Sequence, residues 1–221
     1  VSAAQLNSPN PASPFSYSVV VTNTTSATSD PLDVFVTPVL RWTSASATNT
    51  GKWAINSLSP SPLNWESFTT KTASVYTDDF AVLFDDSATI TTVEVVEDVA
   101  PKSIDFNNPT KTYTLTGASA VLPGFPGSAT KDGNGTVLIQ NDLFDVNTLQ
   151  VNAGKIQFGN GTTGELSSFA AVKVTGGEIA LMPTADATYS NVSTFTGGQI
   201  TFLGSGNLAV TGALSGAGSE L

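Results

Sequence analysis

The residues best suited to chemistry in this chain are carboxylates. Asp78-Asp79 and Asp85-Asp86 bracket the apolar run Phe80–Phe84, which places four acids within nine residues. Such a group suits Ca²⁺, a hard cation that takes about six to eight oxygen ligands. Calcium is therefore the one cofactor these residues admit, beside the simpler expectation of none. A strand of that length spans about 17 Å, so the two pairs reach one ion only if the chain doubles back. Asp is also favoured in the turns that close a strand, which gives both pairs an ordinary structural role. Paired acids about 5–10 Å apart in a cleft can also hydrolyse glycosidic bonds. The acids further on, Asp142, Asp145, Glu165, Glu178 and Asp186, do not recur at matching intervals and have no Arg or His beside them. A polysaccharide hydrolase or lyase is the third-ranked reading, and no catalytic residue is assigned.

Trp42, Trp53 and Trp65, together with Tyr76, form a second candidate group. Exposed, they would make an aromatic platform on which sugars stack, as in a carbohydrate-binding module. Buried, they would plug the end of a β-rich core, and this is the favoured expectation. Asn-x-Ser/Thr triplets occur at Asn23, Asn134, Asn160 and Asn191, as chance allows in a chain this rich in Asn, Ser and Thr.

Composition removes most other chemistries. The 221 residues carry 18 acids against 8 bases, for a net charge of −10, with no His and no Cys. Thiolate or imidazole zinc sites, Ser–His and Cys–His nucleophiles and haem ligation all need residues that are missing. Binding to nucleic acid is not expected, because neutralising phosphates takes clustered Lys and Arg. No apolar run approaches the roughly 18 residues that would span a bilayer as a helix. The first residues, Val1-Ser2-Ala3-Ala4-Gln5, do not read as a signal peptide, so export would imply one already removed.

The elements that must position these residues are strands. No segment sustains apolar residues at i, i+3, i+4 and i+7, whereas β-runs are frequent, among them 17–22, 32–40, 80–84 and 88–96. Residues 1–14, with three of the 12 prolines, read as an extended arm, and 43–72 as irregular. Further on, four segments share one phrase, a Gly followed by alternating apolar residues: Gly135–Ile139, Gly154–Phe158, Gly177–Leu181 and Gly198–Phe202. Their starts lie 19, 23 and 21 residues apart, and the last three each follow a matching strand and a Gly-type turn. Such a period predicts a parallel β-helix, whose single coils cannot bury their apolar side chains until they stack. The alternation places Ile156, Phe158, Ile179, Leu181, Ile200 and Phe202 inside, with Gln157, Ala180 and Thr201 outside. The competing arrangement is an antiparallel β-sandwich with strands of similar spacing. The predicted fold is all-β, with a β-rich arm and capping module over 1–100 and parallel β-helix repeats over 101–221.

The repeat phrases resemble a known family. Pro101–Asn108 followed by Lys111–Gly117, the phrase Lys131-Asp132-Gly133-Asn134-Gly135-Thr136-Val137-Leu138-Ile139, and Asn152-Ala153-Gly154-Lys155-Ile156-Gln157-Phe158-Gly159 are similar to the autotransporter-associated β-strand repeat of bacterial surface proteins. Asn64-Trp65, Asp78-Asp79-Phe80 and Leu83-Phe84-Asp85-Asp86 look like the module that often precedes it. The resemblance implies a right-handed parallel β-helix in an exported passenger protein, located outside the cell or on its surface, with no assigned chemistry. The expected function is structural or adhesive and non-enzymatic, with carbohydrate binding through the tryptophans as the alternative. The tail from Gly212 to Leu221 shows no charged capping helix, and the N-terminal arm is free to reach a neighbour. Expected partners are therefore other copies of the chain, joined into a fibre or sheath by stacked ends or exchanged strands, and glycans.

Overall fold

The computed structural model describes residues 39–55, 57–121, 127–141, 144–163 and 169–216. The β-run expected at 17–22, most of that at 32–40 and the arm at 1–14 lie outside these. The described chain is all-β without helix, and its parallel sheets stack as a β-solenoid of about six turns.

The strands in chain order are β1 (Val39–Trp42), β2 (Lys52–Trp53), β3 (Trp65–Ser67), β4 (Ala73–Ser74), β5 (Ala81–Asp85), β6 (Thr92–Val95), β7 (Ser103–Asn107) and β8 (Thr112–Thr116). They continue with β9 (Ser128–Lys131), β10 (Thr136–Ile139), β11 (Thr148–Val151), β12 (Lys155–Phe158), β13 (Ala171–Val174) and β14 (Glu178–Leu181). The last coils hold β15 (Ala187–Tyr189), β16 (Ser193–Phe195), β17 (Gln199–Phe202), β18 (Leu208–Val210) and β19 (Leu214–Gly216). One sheet of ten strands runs β19-β16-β13-β11-β9-β7-β5-β1-β3-β4, and a second of seven runs β17-β14-β12-β10-β8-β6-β2. Strands joined by a Gly turn, such as β11 and β12, thus fall in different sheets. The turn is a corner of the coil and not a hairpin, which rejects the sandwich.

From β5 onward, partners in the first sheet lie 20–25 residues apart, as in the series Val82, Ile104, Ala129, Leu149, Val172, Ser193 and Leu214. The second sheet stacks Tyr113, Val137, Ile156, Ile179 and Ile200 in one column and Leu115, Ile139, Phe158, Leu181 and Phe202 in another. At about 4.8 Å per strand, its seven strands cover roughly 29 Å along the axis. Both sheets cross the boundary drawn at 100/101 without interruption, because β5 and β6 pair in parallel with β7 and β8.

Three details depart from the alternation read in the sequence. Ala180 points outward but is fully buried, since its small side chain lies in register between Gln157 and Thr201. Ile200 and Phe202 point inward as expected but are only half-buried, because no described strand pairs with the far side of β17. Lys131 occupies a core position between Phe106 and Val151 and is fully buried, with Nζ donating to the Gly133 carbonyl. Burial favours the neutral amine and pushes it down to about 8.

Candidate functional site

The four aromatics lie at the first coil and share one buried cluster. Trp65 is the hub, with ring centroids 5.0 Å from Trp42, 5.1 Å from Trp53, 5.7 Å from Tyr76 and 5.5 Å from Phe84. Most of these pairs are edge-to-face, the arrangement that aromatic quadrupoles favour. Trp42 Nε1 donates to the Ile90 carbonyl at 2.9 Å, while Trp53 and Trp65 Nε1 have no acceptor among the described residues. All four side chains are fully buried, so none presents a face to a sugar. Among the described residues no coil precedes this one, and the four aromatics fill the column at that position.

The cap is closed from outside by the antiparallel strands β3 and β4, which extend the first sheet beyond β1. Arg41 on β1 forms an ion pair with its cross-strand partner Glu66, and its Nη1 lies 3.7 Å from Asp85 Oδ2. Buried Asn64 ties the intervening loop together. Its amide donates to the carbonyls of Asn49 and Lys52 at 2.8 and 2.9 Å, and its own carbonyl accepts from Thr43 and Ser44.

The acid pairs stand at opposite ends of β5, as the strand length required. Asp78 Oδ1 accepts the Ala100 amide at 2.7 Å. Asp79 adopts a left-handed turn conformation, with φ 66°, that Asp tolerates well. Asp85 Oδ1 accepts the Ser87 amide at 2.9 Å, while the carboxylate of Asp86 accepts the Thr110 amide and hydroxyl at 3.0 and 2.6 Å and the Lys111 amide at 3.2 Å. These bonds hold Asp86 below the usual carboxylate range. Among the described residues no three potential ligands cluster as a metal site would need, so the calcium candidates Asp78, Asp79, Asp85 and Asp86 are not brought together.

Several acids of the chain share reach. Asp78 to Ala100, Asp98 to Ala120 and Asp186 to Asn207 each carry a carboxylate to a backbone amide 21 or 22 residues on, at 2.7–2.8 Å. Asn191 does the same in reverse, accepting the Phe169 amide at 2.7 Å. Each bond joins one coil to the next. Sequence reasoning singled out Asp78 and Asp186 for other reasons and missed Asp98, Asn64 and Lys131. The one available signal was the 20-residue interval between Asp78 and Asp98, each followed 22 residues later by an Ala. Of the remaining coil acids, Glu178 pairs with Lys155 at 3.9 Å across neighbouring strands, and Asp142 and Glu165 lie outside the described residues. A shallow groove lined by Thr116, Gly117, Ala118, Gln140 and Thr163 carries no titratable side chain.

Asp105 is the most perturbed carboxylate. It points outward from β7 between Leu83 and Thr130, its Oδ1 is buried without a partner among the described residues, and burial pushes it up to about 7, with Asp132 adding to the shift and Lys131 opposing it. The folded chain therefore binds a proton between about pH 4 and 7 that the unfolded chain has released. Stability from this group is complete below about pH 4 and is lost as pH rises through 7, at a limiting slope of about 1.4 kcal/mol per pH unit. Asp105→Asn is expected to flatten this component of the Tm profile from pH 4 to 8 and to leave the variant more stable than the native chain at pH 7.5. Circular dichroism melts would show it, and parallel profiles would refute it.

Fold and side chains together define a class: a parallel β-solenoid with an aromatic plug at its first described coil, several of whose polar side chains join coil to coil. No family model matches the chain, and no curated protein and no solved structure is significantly similar to it.

Proposed function

We propose that the chain is a structural or adhesive element of an exported surface protein, in which the solenoid acts as a rigid spacer with hydrated faces. The observation that carries this is the use of the polar groups. Asp78, Asp86, Asp98 and Asp186, the kind of residue that catalysis or cation binding would draw on, are acceptors for the backbone of the next coil. The apolar columns they hold in register give stiffness along the axis, since each coil rests on its neighbours alone. Outward rows such as Thr130, Gln150, Lys173, Thr194 and Ser215 give a weakly charged, hydroxyl-rich face. The resemblance of the repeat phrases to those of bacterial passenger proteins supports the same location. Immunogold labelling of intact source cells with antibody to the solenoid tests the proposal. Label on the outer surface is expected, and label appearing only after permeabilisation would overturn it.

A further inference from the structure

Two asparagines of the chain are followed by glycine, in Asn134-Gly135 and Asn160-Gly161. In such a pair the glycine amide nitrogen can attack the asparagine Cγ, because glycine has no side chain to block the approach. The N–Cγ bond forms as the nitrogen gives its proton to water. The Cγ–Nδ2 bond breaks, ammonia leaves and a five-membered imide remains. Water then opens the imide at either carbonyl, which leaves aspartate or isoaspartate.

Both glycine amides are occupied by coil stacking. Gly135 donates to the Asn108 carbonyl in the coil before it at 2.7 Å, and Gly161 to the Met182 carbonyl in the coil after it at 2.9 Å. A nitrogen so engaged turns toward its own Asn side chain only by leaving that acceptor unpaired, which is costly. Asn134 is exposed, so the restraint on it comes from the backbone. That restraint is tight on both sides. A β-carbon on Gly135 would lie 2.2 Å from the Lys111 carbonyl oxygen. One on Gly154, in the next coil, would lie 2.5 Å from the Gly135 oxygen and 2.8 Å from the Asn134 carbonyl carbon. The corner at Gly161 is looser, since a β-carbon there would meet nothing closer than the Met182 Cε at 3.4 Å. Asn160 Oδ1 accepts the Thr162 amide and hydroxyl and the Thr163 amide at 2.7–2.8 Å, which holds the carboxamide within its own turn.

We infer that Asn134 and Asn160 are self-modification sites that coil stacking holds shut, each converted to aspartate or isoaspartate only while its coil is open. Isoaspartate carries the main chain through the side-chain methylene, which lengthens it by one atom. At residue 134 that atom falls in a corner packed against backbone of the coils on both sides, so the modified coil no longer restacks. The reaction turns a passing opening of the solenoid into a lasting one, wherever the protein resides.

Peptide mapping by mass spectrometry tests this on the full chain, incubated folded and in urea at mildly alkaline pH, where the nitrogen gives up its proton more readily. In urea both sites are expected to convert at similar rates. In the folded chain both slow, Asn134 at least ~100-fold and Asn160 at least ~10-fold, because opening free energies differ between parts of one structure. Asn108→Ala removes the Nδ2 bonds to the Lys111 and Thr136 carbonyls at 2.6 and 3.0 Å, and should speed conversion at 134 in the folded chain while leaving 160 unchanged. If that variant does not fold, the comparison of folded and urea-treated native chain decides alone. In an Asn160→Gln background, chains converted in urea and refolded are expected to melt lower in proportion to their isoaspartate content. Asn134→Asp, which adds the same charge at an exposed position, should melt like the native chain. Equal rates in folded and unfolded chains, faster conversion at 134 than at 160 in the folded chain, a folded Asn108→Ala chain no faster at 134, or isoaspartate chains that melt with Asn134→Asp would each overturn the inference.

Discussion

Replacing Gly177 with alanine is expected to lower Tm by about 10 °C. Gly177 sits at the corner between β13 and β14 with φ 80°, and a Cβ there would meet the Gly154 carbonyl oxygen at 2.5 Å and the Ala153 carbonyl carbon at 2.8 Å. Both neighbours are backbone and cannot swing aside. The corner repeats, since a Cβ on Gly154 would lie 2.3 Å from the Gly133 oxygen and one on Gly198 2.4 Å from the Gly177 oxygen. A left-handed conformation costs a β-carbon about 1–2 kcal/mol, and overpacking against a fixed neighbour adds roughly 1–3 kcal/mol. Their sum, about 3 kcal/mol, converts at roughly 2–4 °C per kcal/mol for a chain of this size. Gly161→Ala is the control. It has the same handedness, φ 82°, but its nearest neighbour is the Met182 Cε at 3.4 Å. It should lose only the conformational part, about 1 kcal/mol. Equal losses in thermal melts of the two variants would sink the idea that stacked corners set the effect.

Trp65→Ala is the second large effect, expected to cost about 3–5 kcal/mol, with Tm down by roughly 10–15 °C. The ring contacts Trp42, Trp53, Tyr76 and Phe84, so its removal opens a cavity where four aromatics lose a neighbour at once. Trp65→Phe should recover much of the loss, because the indole N–H has no acceptor to forfeit among the described residues. Urea and thermal unfolding of the pair check both statements. An alanine variant of native stability that instead lost affinity for a glycan would return these residues to the platform role.

The coils from Gly135 to Phe202 were legible in the sequence because one corner demands Gly and the strand after it alternates, so every turn repeats the same short phrase. The earlier coils were not. The insertion of β3 and β4 separates β1 from its parallel partner β5 by 42 residues, as in Val39 and Ala81, and the period vanishes although the ladder continues. The tryptophans were ambiguous for a different reason, since a sugar platform and a core plug use the same side chains and differ only in what lies over them. The acids were harder still. Whether Asp98 binds a cation or caps an amide depends on what the next coil presents 22 residues away, and pairing register decides that, not local spacing. Lys131 sat in plain view within a repeat phrase, yet a charged residue inside an apolar column contradicts the alternation that revealed the fold.

The aromatic plug has an optical consequence. The chain has three tryptophans, all in this one cluster, so near-ultraviolet emission excited at the indole band reports the first coil and nothing else. Backbone dichroism, in contrast, averages over every coil. In a stack where each turn leans only on its neighbours, the two signals need not change together. Emission that shifts after the dichroism has begun to fall would show unravelling from coils remote from the plug, and the reverse order would show the plug giving way first. The molecule thus carries a built-in reporter of the direction in which it comes apart.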